Sequence, residues 1–369
     1  MKQGYIKEGP KSVSRKYDPF IRGGFPVGVR TIQAFDAARD RLFPCELWYP
    51  AAAEHMGQDM APQTQDLFTS GGAARRQAAV RNAAAHAGCY PLIVFSHHSG
   101  GHRRAATFLC THLSSHGYVV AALDHSEIVA AELARKDGET AEQKAARAEA
   151  WIANRVPDLR FLLDYLLNAE SFDSEITLDP TGIGVVGHSF GGWAALAAPD
   201  VEPRIKSIVA LAPGGSSRPR PGILPAGLHF AWPRDIPTLY LVAENDTPLP
   251  LAGMYELFER TPSKKLMVVL RRADHCHFLD DVEQQHEAMR AMPVPPELAW
   301  LPQEILPITE LCSGEQAHLF VRGLALCQMD AILKQKDEAQ KFMAADLEAE
   351  LAGRQVKVFV HSATETVQS

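Results

Sequence analysis

The hexapeptide Gly187-His188-Ser189-Phe190-Gly191-Gly192 sets one hydroxyl among glycines, between a β-branched run, TGIGVV (181–186), and a helix-forming run, WAALAA (193–198). Ser189 with Gly187 and Gly191 fits the pattern G-x-S-x-G, and a strand before and a helix after are the context it needs. A serine at so sharp a turn is strained, its backbone passes close to neighbouring elements, and only residues without a Cβ fit on either side. The turn lifts the hydroxyl into the open, with the positive end of the next helix aimed at it. A serine oxygen is a poor nucleophile at its free pKa, so it requires a base, and the base an orienting acid.

On such an elbow the acid and then the histidine follow downstream, at the carboxyl ends of parallel strands. The run TLYLVA (238–243) ends in ENDTPLP, and LMVVL (266–270) ends in RRADHCHF. Asp246 is the expected acid rather than Glu244, because it lies deeper in the turn with Asn245 and Thr247 to fix the loop. The alternative role for it is to cap the helix starting near Pro248. His275 is the expected base. His277 competes with it, since two residues apart in an extended segment point the same way. The one not used is expected to line the pocket or to pair with Asp280 or Asp281.

A tetrahedral oxyanion needs preorganised N–H donors. The amide of Phe190, directly after the nucleophile, is one. The second is expected from the loop SHHSGGHRR (96–104), at Ser99, with Gly100 and Gly101 allowing a tight turn. His97, His98, His102, His112, His116 and His125 crowd this region, which raises a metal-dependent alternative. His112 and His116 lack the glutamate of H-E-x-x-H, however, and neither metal nor cofactor is expected. Six scattered cysteines without C-x-x-C spacing indicate neither a disulfide framework nor a thiolate metal site.

The elements that must hold these groups read as alternating strands and helices. Continuous apolar runs begin at 91, 118, 183, 205, 238 and 266, as expected of strands buried on both faces. Helical patterns at 104–116, 156–168, 190–198 and 251–260 separate them, predicting an α/β fold with a mostly parallel sheet covered on both sides. VGVRTIQAF and FPCELWYP predict a hairpin before the first run. Three cap-like excursions interrupt the rhythm: 51–89; 125–155, read as charged and solvated; and 213–235, whose Phe230 and Trp232 suit a pocket wall or a packed surface loop. From about 279 a helical tail should close over the sheet or cap the site. The 369 residues are read as one domain without repeats or a flexible linker.

Lys and Arg total 37 against 44 Asp and Glu, a net charge of −7 that argues against nucleic acid and anionic membranes as default partners. No apolar run approaches membrane-spanning length and the start of the chain has no secretory apolar core, so a cytoplasmic protein is expected.

With these pieces assembled, the chain resembles the α/β-hydrolase superfamily, in its branch of platelet-activating-factor acetylhydrolase-like and dienelactone hydrolase-like esterases. PLIVFSHHSGGHRRAATFLCTHLSSHGYVVAALDHSE looks like that branch's oxyanion segment and next strand, and GHSFGG like its nucleophile elbow. The resemblance implies Ser189 as nucleophile, Ser99 and Phe190 as oxyanion donors, and His275 as base. It also implies a small-molecule ester substrate cleaved through an acyl-enzyme. Three departures matter. Acetylhydrolases carry their acid after the strand following the elbow, where this chain has Ala212 and Pro213, so the acid is expected to have moved to Asp246. His98 stands where the branch often has glycine, making it a candidate substrate contact. Dienelactone hydrolases proper use cysteine, and serine here favours ordinary esters. An acyltransferase, thioesterase or amidase would use the same residues, and a non-catalytic binding protein could share the scaffold.

Overall fold

The computed structural model describes residues 17–70, 72–168 and 174–362. Its strands are β1 (Val27–Asp36), β2 (Arg41–Pro50), β3 (Asp66–Ser70), β4 (Ala73–Gln77), β5 (Val80–Arg81), β6 (Gly88–Ser96), β7 (Val119–Leu123), β8 (Ile176–His188), β9 (Ile205–Leu211), β10 (Thr238–Ala243), β11 (Lys265–Leu270) and β12 (Val358–His361). The helices are α1 (Thr107–Ser115), α2 (Ser126–Val129), α3 (Ala141–Asn168), α4 (Phe190–Ala197), α5 (Leu251–Arg260), α6 (Val282–Ala291), α7 (Leu301–Glu304), α8 (Gly314–Ile332), α9 (Asp337–Met343) and α10 (Leu347–Ala352).

The six apolar runs become β6 to β11, parallel neighbours in a ten-stranded sheet of order β12-β11-β10-β9-β8-β6-β7-β2-β1-β5. After β6 the chain crosses to β7 on one side and returns to β8 on the other. The order therefore reverses between β6 and β8, and the crevice at their carboxyl ends is where such sheets place their chemistry. The hairpin β1/β2 extends one edge in antiparallel register, Val27 opposite Pro50 through Asp36 opposite Arg41.

Side chains alternate across the strands into two cores. Leu92 and Val94 of β6 join α3, α4 and α5 on one face, while Ile93 and Phe95 join α1, α8 and α10 on the other. The amphipathic run near 320 is α8, started by a reciprocal cap between Ser313 and Gln316. Its Phe320, Val321 and Leu324 are wholly buried, each contributing roughly 1.5–3 kcal/mol by removal from water.

Three expectations are refined. The 51–89 excursion forms the hairpin β3/β4, and β5 pairs with β1. The charged stretch and the pattern at 156–168 merge into one 28-residue helix, α3, whose Arg155 and Asp158 are fully buried rather than solvated. The tail is helical as expected but ends in β12, antiparallel to β11, a strand too short and too weakly alternating to be read from VFVH. Residues 213–235 form neither helix nor strand. All six cysteines are free, four of them buried. No helix among the described residues is long and apolar enough to cross a membrane.

Candidate active site

Ser189 follows β8 directly, at φ 58° and ψ −115°, a conformation L-residues rarely adopt. Holding it there costs about 1–3 kcal/mol, and the surroundings hold it from several sides. Its N–H donates to the Leu211 carbonyl at 2.9 Å, and its carbonyl accepts from Trp193 at 3.0 Å and Gly214 at 2.9 Å. The flanking glycines are demanded by backbone contact. A Cβ on Gly187 would lie 2.0 Å from the Gly191 carbonyl oxygen, and one on Gly191 would lie 2.0 Å from that of Ser96. The elbow thus rests on the end of β6 with no side chain between.

The Ser189 hydroxyl lies 2.9 Å from His275 Nε2, and His275 Nδ1 lies 2.7 Å from Asp246 Oδ2. With Nδ1 donating to the carboxylate, Nε2 is left as acceptor for the hydroxyl proton. The other Asp246 oxygen accepts the Leu249 N–H at 2.8 Å, so the carboxylate orients His275 and also fixes the turn before α5. Glu244 faces away, accepting from the Arg272 amide at 2.9 Å and pairing with Arg271 at 3.1 Å.

His277 is not beside His275, because His275–Phe278 is a 3-10 turn rather than extended chain. With about three residues per turn, positions two apart diverge. His277 bonds Asp274 at 2.8 Å and the Cys312 carbonyl at 3.1 Å, while the second Asp274 oxygen meets His286 at 2.5 Å. The expected pairing with Asp280 or Asp281 is therefore corrected. Asp280 caps α1 through Thr107 and Phe108, and Asp281 pairs with Arg75.

Burial works against charge throughout this crevice. It raises the Asp246 carboxyl and would by itself lower His275, but the carboxylate alongside outweighs it and leaves His275 above its ordinary value. Two further imidazoles stack toward the base, His188 with its ring centroid 4.7 Å from His275 and His98 5.5 Å from His188. Burial first, and the neighbouring His275 second, push both down, His98 to about 3. Both stay neutral while His275 carries a proton.

The loop after β6 turns tightly. The Gly101 N–H donates to the His98 carbonyl at 3.0 Å and Gly100 has φ 71°, which gives a type II turn with Ser99 at its second position. Phe190 opens α4, so its N–H has no intrahelical acceptor. Phe230 and Trp232 are not brought to the serine. The Trp232 indole donates to the Leu196 carbonyl at 3.1 Å, seven residues beyond Ser189 and roughly 10 Å along the helix, and Phe230 lies beneath Arg260. Ala212 is buried and Pro213 lies against Gly192, so no carboxylate comes from that turn. A cleft of about 310 Å3 opens beside Asp246, lined also by Thr247, Arg220 and Glu304. His112 and His116 bond the carbonyls of Pro19 and Ile21, and the described residues gather no three potential ligands as a metal site would need.

Behind the turn lies a buried polar group that the sequence reading missed. Arg155, Glu127, His97, His125 and Asp158 surround the end of β6. The signal was the spacing 151, 155, 158, 159, 162, 166, which sets a cation and a carboxylate on the apolar face of α3.

The sheet with its reversed order, the serine elbow and the histidine at the end of a later strand form an α/β-hydrolase fold. Sequence comparison finds partial likenesses to known esterases. The family profile for platelet-activating factor acetylhydrolase, isoform II, matches residues 30–158, about a third of the chain, and ends before the elbow. A platelet-activating factor acetylhydrolase of Cavia porcellus is 26% identical over 227 residues, 52% of this chain and 48% of that protein. A cutinase of Thermobifida alba is 26% identical over 237 residues, 62% of this chain and 67% of that one. The match thus spans about half the length of the acetylhydrolase. A ferulic acid esterase from Streptomyces cinnamoneus shares the fold, with TM-score 0.58 and 23% identity over 85% of this chain and 91% of that one.

Proposed function

We propose that the chain is a serine carboxylic-ester hydrolase acting on small-molecule esters through an acyl-enzyme. The observation that carries this reading is the unbroken hydrogen-bonded line from the Ser189 hydroxyl through His275 to Asp246, 2.9 and 2.7 Å, at the reversal of strand order. Kinship with an acetylhydrolase and a cutinase supports ester chemistry. In the proposed reaction His275 Nε2 takes the Ser189 proton as the oxygen attacks the ester carbonyl. Asp246 holds the imidazole in the tautomer that allows this and stabilises the imidazolium that forms. The Phe190 and Ser99 amides hold the oxyanion, His275 returns the proton to the departing alkoxide, and water, activated by the same imidazole, releases the acid.

Ser189→Ala is expected to lower kcat on short p-nitrophenyl esters by at least about 10⁴-fold with folding intact. A fluorophosphonate should label the native chain and not the variant. Full turnover by Ser189→Ala would end the proposal.

A further inference from the structure

Arg155 is fully buried at the centre of α3, yet it bonds the loop that leaves β6. Its Nη1 donates to the His97 carbonyl at 2.6 Å and its Nη2 to the His98 carbonyl at 3.1 Å. Its charge is met by the buried carboxylate of Glu127, and its guanidinium lies 4.3 Å from the centre of the Phe190 ring. One cation therefore touches both segments that carry the proposed oxyanion donors.

The His98 carbonyl belongs to the same peptide group as the Ser99 N–H. Peptide groups are planar, and no cis bond occurs among the described residues. Fixing that carbonyl therefore fixes the N–H in the opposite direction. Three donors converge on this oxygen: Arg155 Nη2, the Gly101 amide at 3.0 Å and His97 Nδ1 at 2.7 Å. Because the carbonyl can only accept, His97 carries its proton on Nδ1, and its Nε2 accepts the His125 N–H at 3.2 Å. His125 in turn lies 2.8 Å from the Ser96 hydroxyl and 3.1 Å from Asp158. Donors on a carbonyl polarise its peptide and strengthen the N–H at the other end. The geometry points to Arg155 as a positioning residue of the oxyanion hole: by gripping the His98–Ser99 peptide it aims and strengthens the Ser99 N–H. This inference rests on the reading of Ser189 as an ester-cleaving nucleophile.

The test compares p-nitrophenyl acetate with its thiono analogue, in which sulfur, a weak acceptor, replaces the carbonyl oxygen and draws little from an oxyanion donor. Arg155→Met is made alone and with Glu127→Met, the pair leaving no charge buried by itself, and Arg155→Lys is the conservative variant. The Met variants should lose about 10- to 100-fold in kcat on the acetate with KM within about threefold, and no more than about threefold on the thiono ester. Arg155→Lys should recover part of the kcat, since an ammonium can still reach one carbonyl. A kcat on the acetate within about threefold of native in the folded paired variant would overturn the inference. Equal losses on both substrates would also overturn it, marking general loosening of the site. If the native chain turns over neither substrate and takes no fluorophosphonate, the esterase reading itself fails.

Discussion

As the proposed base His275 acts only when neutral, so its elevated pKa should set where the reaction begins on the pH scale. The acid limb of kcat/KM should lie above the ordinary histidine value of about 6.5. In Asp246→Asn the main partner that raises it is gone and burial meets only the weaker pull of Asp274, so the limb should move to lower pH while the plateau drops roughly 10³- to 10⁴-fold. Rate profiles from acid to mildly alkaline pH check this. A limb that stays in place would remove Asp246 as the partner. His98 and His188, held neutral by burial, should add no inflection. The hydrogen-bonded line Ser189–His275–Asp246 was legible because the proposed chemistry prescribes its residue types and chain order. The choice between His275 and His277 was not, since it depends on whether four residues coil or extend.

That coil carries its own stability. His277, wholly buried, is held at about 10 despite burial, which would lower it, by the Asp274 carboxylate first and the Cys312 side chain second. A raised histidine contributes fully below its unfolded value of about 6.5, and its contribution is lost as pH rises through about 10. Asp274 is depressed against burial by His277 and His286, so its contribution is lost only as pH falls through its depressed value. The native Tm should therefore decline between about pH 6.5 and 10, and His277→Gln should flatten that decline. The substitution should lower stability near neutrality by about 2–3 kcal/mol and leave fluorophosphonate labelling intact, as followed by thermal melts across pH. Labelling lost in a folded His277→Gln would return that residue to the list of bases. Of the elements, β6 to β11 were legible from unbroken apolar runs. The buried face of α3 was obscured by its charges, and 213–235 by the absence of any period.

At the scale of the molecule, every group of the proposed reaction hangs from one sheet. Two cores meet across it, α8 seals one face and β12 closes the far edge. We propose that these parts melt together as a single domain. Heating curves followed by far-UV circular dichroism and by residual esterase activity should then superimpose within about 2 °C. Activity lost well below the structural transition would show instead that the site melts first. The overall order was legible because alternation of strand and helix with short connections leaves few topologies. The closing edge strand was not, for its pairing is decided by a partner about ninety residues earlier.

The bare backbone contact between Gly191 and Ser96 carries a last consequence. The proposed nucleophile's elbow and the proposed oxyanion loop abut like two stones laid without mortar, with no cushion of side-chain atoms to absorb a shift of one against the other. Variation that retunes specificity has to come from the rim of the crevice, because a single added methyl at this joint would drive the two halves of the chemistry apart.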